Sequence, residues 1–346
     1  MPQITEASLK AQLKDGKFFS SYLIYGTEAF LKQHYANLIV KKCVSPDMEG
    51  FNLRKFDAED NVSLEALIES TDTLPVFSEH CCTFMKNMPL DSFYSADQKV
   101  FEKWLAEMPE TTVAVFWQDT DDVGTGKNAK WKNVIKLFEK YGACHCLDKM
   151  DSSSLIKTVT GGLAKRGCNI DRAVAAYLVE TVGSDLNLLL NEVEKLADYS
   201  SDKVITKEDI DDVCTKSLEA NVFDLSKGII SGNIEKALSI LSVLFENKER
   251  PEMILGALCS NFIDMYRVKL CLAEGKSFDA FKDSYSYKNR AFRLNYAKRD
   301  AAKVSLDRLS HCIELLNEAD MSIKGYGSDP KIILEKLIVE LYREVK

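Results

Sequence analysis

The sequence predicts an α/β domain with a mostly parallel sheet, followed by two all-helical blocks. Three observations carry this. In the first third, short apolar runs rich in β-formers alternate with helical spacing, the pattern of βαβ units with helices on both faces of a sheet. From Met150 onward strand signals vanish. The apolar residues beyond it recur at three-and-four spacing between helix caps.

The first block is expected over residues 1–148. Residues 18–25 read as a buried strand, Gly26 turns the chain, and residues 28–42 have helical spacing through Phe30, Leu31, Tyr35, Leu38 and Ile39. Further strands are expected at 51–56, 82–85, 113–117 and 143–146, separated by helices at 63–71, 97–105 and 130–141. The second block, 149–214, opens with an N-cap in Asp151-Ser152-Ser153-Ser154, and Leu155, Ile156, Val159 and Leu163 follow. Gly167-Cys168-Asn169 breaks the chain, Asp171 caps the next helix, and Asp185 opens one with Leu186, Leu189, Leu190, Val193 and Leu196. Thr206 and Asp209 form a capping box. In the third block, 215–346, Asn221-Val222-Phe223-Asp224-Leu225 leads to Ile229-Ile230, and Gly232-Asn233 makes a turn. Helices follow at 234–245, from Pro251 to Leu272, at 307–323, and at 331–345 after Asp329-Pro330.

Composition narrows the function. The chain has 346 residues, 46% hydrophobic and 28% charged, enough for two or three cores. No apolar run approaches the roughly 20 residues of a membrane span. The opening Met1-Pro2-Gln3-Ile4-Thr5-Glu6 has neither a basic nor an apolar targeting segment, so a cytoplasmic protein is expected. Its ten cysteines read as small buried hydrophobes. Cys81-Cys82 and Cys144-His145-Cys146 lack the paired spacing of a zinc site, so no metal is expected. A net charge of −8 confines any nucleic-acid contact to a local patch.

A strand, a glycine turn and a helix are where a nucleotide-binding domain keeps its phosphate loop. That chemistry needs G-x-x-x-x-G-K-[ST]: glycines let amides cradle phosphate, Lys neutralises it, and the hydroxyl holds magnesium. The turn Tyr25-Gly26-Thr27-Glu28-Ala29-Phe30-Leu31-Lys32 is read as lacking the second Gly, the Lys and the Ser/Thr, and Glu28 would repel phosphate. Paired acids are missing after Phe84-Met85, where Lys86-Asn87 follow. Gly124-Thr125-Gly126-Lys127-Asn128 has Asp121 where a Gly is required and Asn128 in place of Ser/Thr, so it reads as a flexible basic loop. The domain has the shape of an ATPase without the chemistry, and no cofactor is expected.

Two stretches suggest binding. In Thr73-Leu74-Pro75-Val76-Phe77-Ser78-Glu79, Pro75 ends the preceding helix and leaves Val76 and Phe77 on a short connector. They either fold back into the core or form a hydrophobic plug for a partner. Residues 285–303 are the most basic stretch, with Lys288, Arg290, Arg293, Lys298, Arg299 and Lys303 interleaved with Tyr285, Tyr287, Phe292 and Tyr296. Cations for phosphates and rings for stacking would suit DNA. The alternative is a solvated helix face with core aromatics.

In order along the chain, these residues resemble the delta subunit of the bacterial DNA polymerase III clamp loader. Tyr22-Leu23-Ile24-Tyr25-Gly26, Glu28 and Phe30-Leu31 are similar to its opening strand and turn. Gly183-Ser184-Asp185-Leu186 and Asn191-Glu192-Val193-Glu194-Lys195-Leu196 are similar to its middle domain. Asn221-Val222-Phe223-Asp224-Leu225, Gly232-Asn233 and Ala237-Leu238 resemble the start of its collar. Glu318-Ala319-Asp320, Ile323-Lys324-Gly325 and Asp329-Pro330 resemble its close. The resemblance implies a RecA-like (AAA+-type) parallel-sheet domain, a small helical lid and a C-terminal helical collar that joins the ATPase subunits (gamma/tau) and delta-prime. It implies a non-catalytic subunit that binds and opens the beta sliding clamp so that primed DNA can enter. The family's clamp-binding pair falls on Val76 and Phe77, flanked by Leu74 and Pro75, with Val76 in place of the common Leu. Other readings are an ATP-hydrolysing AAA+ subunit with an atypical site, or a helical scaffold.

Overall fold

Leu23, Ile24, Val113, Val115 and Phe116 point to both faces of their strands and are all fully buried, as a parallel sheet covered on both sides requires. The computed structural model describes residues 4–120, 123, 128–275, 291–325 and 329–346, and the chain divides into two compact units, Met1–Lys149 and Met150–Lys346.

In the first unit, β1 (Ser21–Tyr25), β2 (Leu53–Asp57), β3 (Cys81–Lys86), β4 (Thr112–Trp117) and β5 (Ala143–Cys146) form one parallel sheet in the order β2-β3-β4-β1-β5. This is the RecA-like arrangement. Strand order reverses between β1 and β4, so a crevice opens beyond their carboxyl ends. The helices are α1 (Glu6–Lys14), α2 (Ala29–Cys43), α3 (Glu49–Asn52), α4 (Leu64–Thr71), α5 (Leu90–Ala96), α6 (Gln98–Ala106) and α7 (Ala129–Tyr141). On one face Leu23, Met85, Phe116 and Cys144 pack with Leu67, Phe101, Trp104 and Phe138. Phe116 meets Trp104 and Phe138 edge-on, at 5.6 and 5.0 Å between centroids. On the other face α2 lies on β1, β3 and β4, with Tyr35 edge-on to His145.

Two expected strands are shortened. The first begins at Ser21 rather than residue 18; the Phe19 amide is held by the Tyr22 hydroxyl at 2.9 Å instead of a neighbouring strand. The second begins at Leu53, because Phe51 and Asn52 close the helical turn α3. Helices α1, α3 and α5 were not expected.

The second unit begins with α8 (Ser152–Lys165), α9 (Arg172–Val182), α10 (Leu186–Tyr199) and α11 (Lys207–Val213). Asp151 accepts from the Ser154 amide at 2.8 Å, and Thr206 and Asp209 cap each other reciprocally. Asp171 stands at the N-cap of α9, but its side chain makes no capping bond. Strands do not vanish here: β6 (Asn169–Ile170) and β7 (Val204–Ile205) pair in parallel. Two residues each are too few to show an alternating pattern. Then come α12 (Leu218–Ile230), α13 (Ile234–Glu246), α14 (Pro251–Ala273), α15 (Ala291–Ala301), α16 (Leu306–Lys324) and α17 (Pro330–Val345), around a core that includes Leu225, Leu241, Phe262, Leu309 and Leu337. Pro251 and Pro330 stand at first-turn positions, where no amide proton is needed. Among the described residues no helix is long and apolar enough to cross a membrane.

Candidate functional site

The connector between α4 and β3 starts from a pinned helix end. The Thr71 hydroxyl accepts from the Trp104 indole at 2.8 Å, and the Thr71 carbonyl accepts from the Thr112 hydroxyl at 2.7 Å. Helix α4 therefore ends at Thr71, with Asp72 as its C-cap, somewhat ahead of Pro75. Farther on, the buried carboxamide of Asn52 grips the connector. Its Oδ1 accepts from the Val76 amide at 2.7 Å, and its Nδ2 donates to the Val76 carbonyl at 2.8 Å and to the Ser78 hydroxyl at 3.0 Å. The Cys81 thiol donates to the Thr73 carbonyl at 3.1 Å.

The backbone is held while the side chains leave the protein. Leu74 is 73% exposed, Val76 39% and Phe77 92%. No other large hydrophobic among the described residues is as exposed as Phe77. Its φ of 52° lies in the left-handed region, which a bulky side chain rarely adopts. Such strain collects where a chain is shaped for binding. Pro75 is half-buried between the exposed residues. The core alternative for Val76 and Phe77 is thereby excluded. Sequence reasoning missed Asn52, which it places within a strand, and the 65% exposure of neighbouring Phe51. An Asn before a β-rich run carries no signal of a partner far along the chain.

The loop after β1 is filled by the protein itself. The Leu147 amide donates to the Tyr25 carbonyl at 2.7 Å, and the Glu28 amide donates to the Leu147 carbonyl at 2.9 Å. The Thr27 amide donates to the Asp148 carboxylate at 3.2 Å. At the N-terminus of α2, the Phe30 amide donates to the Glu28 carboxylate at 3.3 Å, where an anion would otherwise sit. Contrary to the expectation from the sequence, a Lys does occupy the motif position: Lys32 stands six residues after Gly26. It is not free for a phosphate. Its side chain is 1% exposed, and its ammonium reaches into the crevice, donating to the Asp119 carbonyl at 3.0 Å and pairing with the Asp119 carboxylate at 3.4 Å.

The side chains of the Cys144-His145-Cys146 cluster bond to separate groups rather than to a common centre. His145 Nδ1 lies 2.7 Å from the Ile4 carbonyl, and the Cys146 thiol donates to Asp148. Burial pushes the Cys146 thiol up to about 11 and holds the imidazole of His145 below its ordinary range. Among the described residues no group of three metal-ligating side chains converges.

The basic stretch is described in part. Lys288 and Arg290 lie outside the described residues, as does the side chain of Arg293, whose backbone is in α15. Lys298 and Arg299 are exposed near the end of that helix, while Leu294, Ala297 and Ala301 on it are buried. The Arg299 guanidinium is engaged by Asp300, at 3.1 and 3.3 Å.

A RecA-like sheet whose loop after β1 is occupied by the chain's own groups, followed by a helical unit, defines a fold of the AAA+ type. The family model of the DNA polymerase III delta subunit matches residues 22–146, that of its C-terminal domain residues 219–341, and a middle-domain model residues 158–212. DNA polymerase III subunit delta of Bacillus subtilis is 23% identical over 96% of this chain and 95% of its own length. A probable DNA polymerase III subunit delta of Aquifex aeolicus is 26% identical over 61% of each chain. The solved Bacillus subtilis DNA clamp loader delta protein superposes with a TM-score of 0.67 and 22% identity, over 97% of this chain and 98% of that one. The chain belongs to the DNA polymerase III delta subunit family, a clamp-loader component of DNA replication.

Proposed function

We propose that this chain binds the beta sliding clamp through Leu74, Pro75, Val76 and Phe77 and opens it for primed DNA, without hydrolysing nucleotide itself. The observation that carries the reading is a connector with a bound backbone and Phe77 92% exposed. An isolated apolar ring held out in water is suited to an apolar pocket, where both surfaces lose water on contact. Calorimetric titration of the chain with the sliding clamp tests it. Saturable binding that depends on Phe77 is expected, and binding indifferent to Phe77 sinks it. In the same reading, residues 1–148, 149–214 and 215–346 act as three domains. The last would join the gamma/tau ATPase subunits and delta-prime in the cytoplasm.

The self-filled loop supports a non-catalytic role. The amides of Thr27, Glu28 and Phe30 already have acceptors, and Lys32 is paired with Asp119. ATP-magnesium would have to displace all of these at once. The isolated chain is therefore expected to show neither measurable hydrolysis nor tight binding in a nucleotide titration. A micromolar dissociation constant would favour the ATPase reading instead.

The basic stretch is proposed to contact primer–template DNA within the assembled loader, through Lys288, Arg290, Arg293, Lys298 and Arg299. Changing Arg290, Arg293 and Lys298 to Ala should weaken DNA binding by the loader. It should also reduce the slope of log affinity against log salt by about 0.9 for each phosphate no longer neutralised. An unchanged slope would return the stretch to a solvated helix face.

A further inference from the structure

We infer that Asn52 is a positioning residue for partner binding: its carboxamide splints the connector at Val76, so that Phe77 is presented already ordered. The inference rests on the proposed role of Phe77. Asn52 is 0% exposed and closes the helical turn before edge strand β2. Strand β2 pairs with β3 in the register Leu53 to Cys82. That register sets Asn52 beside the end of the connector, which enters β3 at Cys81. A carboxamide has one acceptor and a two-proton donor. Here they meet the Val76 amide at 2.7 Å, and the Val76 carbonyl and Ser78 hydroxyl at 2.8 and 3.0 Å. Both backbone polar groups of Val76 are thus satisfied inside the protein, although its side chain is exposed.

This grip has a consequence beyond folding. The connector residues around Val76 lie outside helix and strand, and Phe77 holds a left-handed conformation. Without the splint, the connector would sample other conformations, and a partner would have to order it on binding. Removing Asn52 should therefore reduce affinity through the free protein, while the interface itself stays intact.

The test compares the full-length chain with Asn52→Ala, Phe77→Ala and the double variant. Asn52→Ala should speed chymotrypsin cleavage after Phe77 about tenfold or more under native conditions, a readout that needs no partner. It should weaken clamp binding about tenfold where Phe77 is present, and much less in the Phe77→Ala background, because Asn52 acts through Phe77. A purely structural role would weaken both backgrounds equally. If Asn52→Ala does not fold, hydrogen exchange on the unaltered chain decides: the Val76 amide should exchange at least about tenfold slower than in an unstructured peptide. Unchanged cleavage, equal effects in both backgrounds where Phe77→Ala itself weakens binding, or an unprotected Val76 amide would each overturn the inference. A Phe77→Ala variant that binds normally, with cleavage and exchange as expected, would instead overturn the assignment of Phe77 and leave the splint standing.

Discussion

Phe77→Ala is expected to weaken binding to the sliding clamp by about 2–4 kcal/mol, tens- to several-hundred-fold, and to leave the melting curve unchanged. Burying a Phe ring removes enough apolar area from water for roughly 1.5–3 kcal/mol, before any gain from close packing in a pocket. In the free protein the ring is 92% exposed, so its removal takes nothing from the core. Phe77→Gly sharpens the contrast. Glycine relieves the left-handed φ of 52°, a gain of about 1–2 kcal/mol that the greater freedom of glycine in the unfolded chain partly offsets. That variant should melt no lower than the parent and still lose clamp binding. Val76→Ala should cost less affinity than Phe77→Ala, since it removes less apolar area. A drop in melting temperature for Phe77→Ala, with clamp binding intact, would refute the plug.

Gly26→Ala is expected to destabilise the first unit by at least about 2–3 kcal/mol, a strained φ and a collision acting together. A Cβ on Gly26 would lie 2.3 Å from the Leu147 carbonyl oxygen, and its φ of 120° already disfavours a side chain. Leu147 is tied there by its bonds to Tyr25 and Glu28, so its backbone has little room to withdraw. At about 2–4 °C per kcal/mol for a domain of this size, melting should fall roughly 4–12 °C. Gly50→Ala is the control: a Cβ there would meet nothing within 4 Å, and in the helical turn α3 the change should be neutral or stabilising, by up to about 1 kcal/mol. The glycine that looks like a relic of phosphate binding is required by the chain's own packing. A Gly26→Ala variant with unchanged melting would contradict this.

Much of the fold was legible because its signals are local. Thr206 and Asp209 cap a helix within four residues, and the apolar run of β4 is long enough to stand out. Failures occurred where the cause is distant or the element short. Nothing near Asn52 announces a bond to Val76, 24 residues on. Strands β6 and β7 exist only through each other. Asp171 has a capping residue's identity, yet identity alone does not place its carboxylate on the helix amides. At the phosphate loop, the sequence showed the missing second Gly and hydroxyl. That Lys32 stands six residues after Gly26 could be counted in the sequence; that its ammonium is turned onto Asp119 only the fold reveals. At the connector, Pro75 and two apolar neighbours marked the site, but only the fold distinguishes a buried pair from an exposed one.

The chain is proposed to open the sliding clamp through Phe77 and without nucleotide. A fluorophore pair placed across a subunit interface of the clamp reads that opening directly. Addition of the full-length chain, with no ATP present, should increase the separation of the pair in a saturable way, and Phe77→Ala should require a far higher concentration for the same change. A clamp that stays closed at saturating chain, or that opens equally well with Phe77→Ala, would contradict the account.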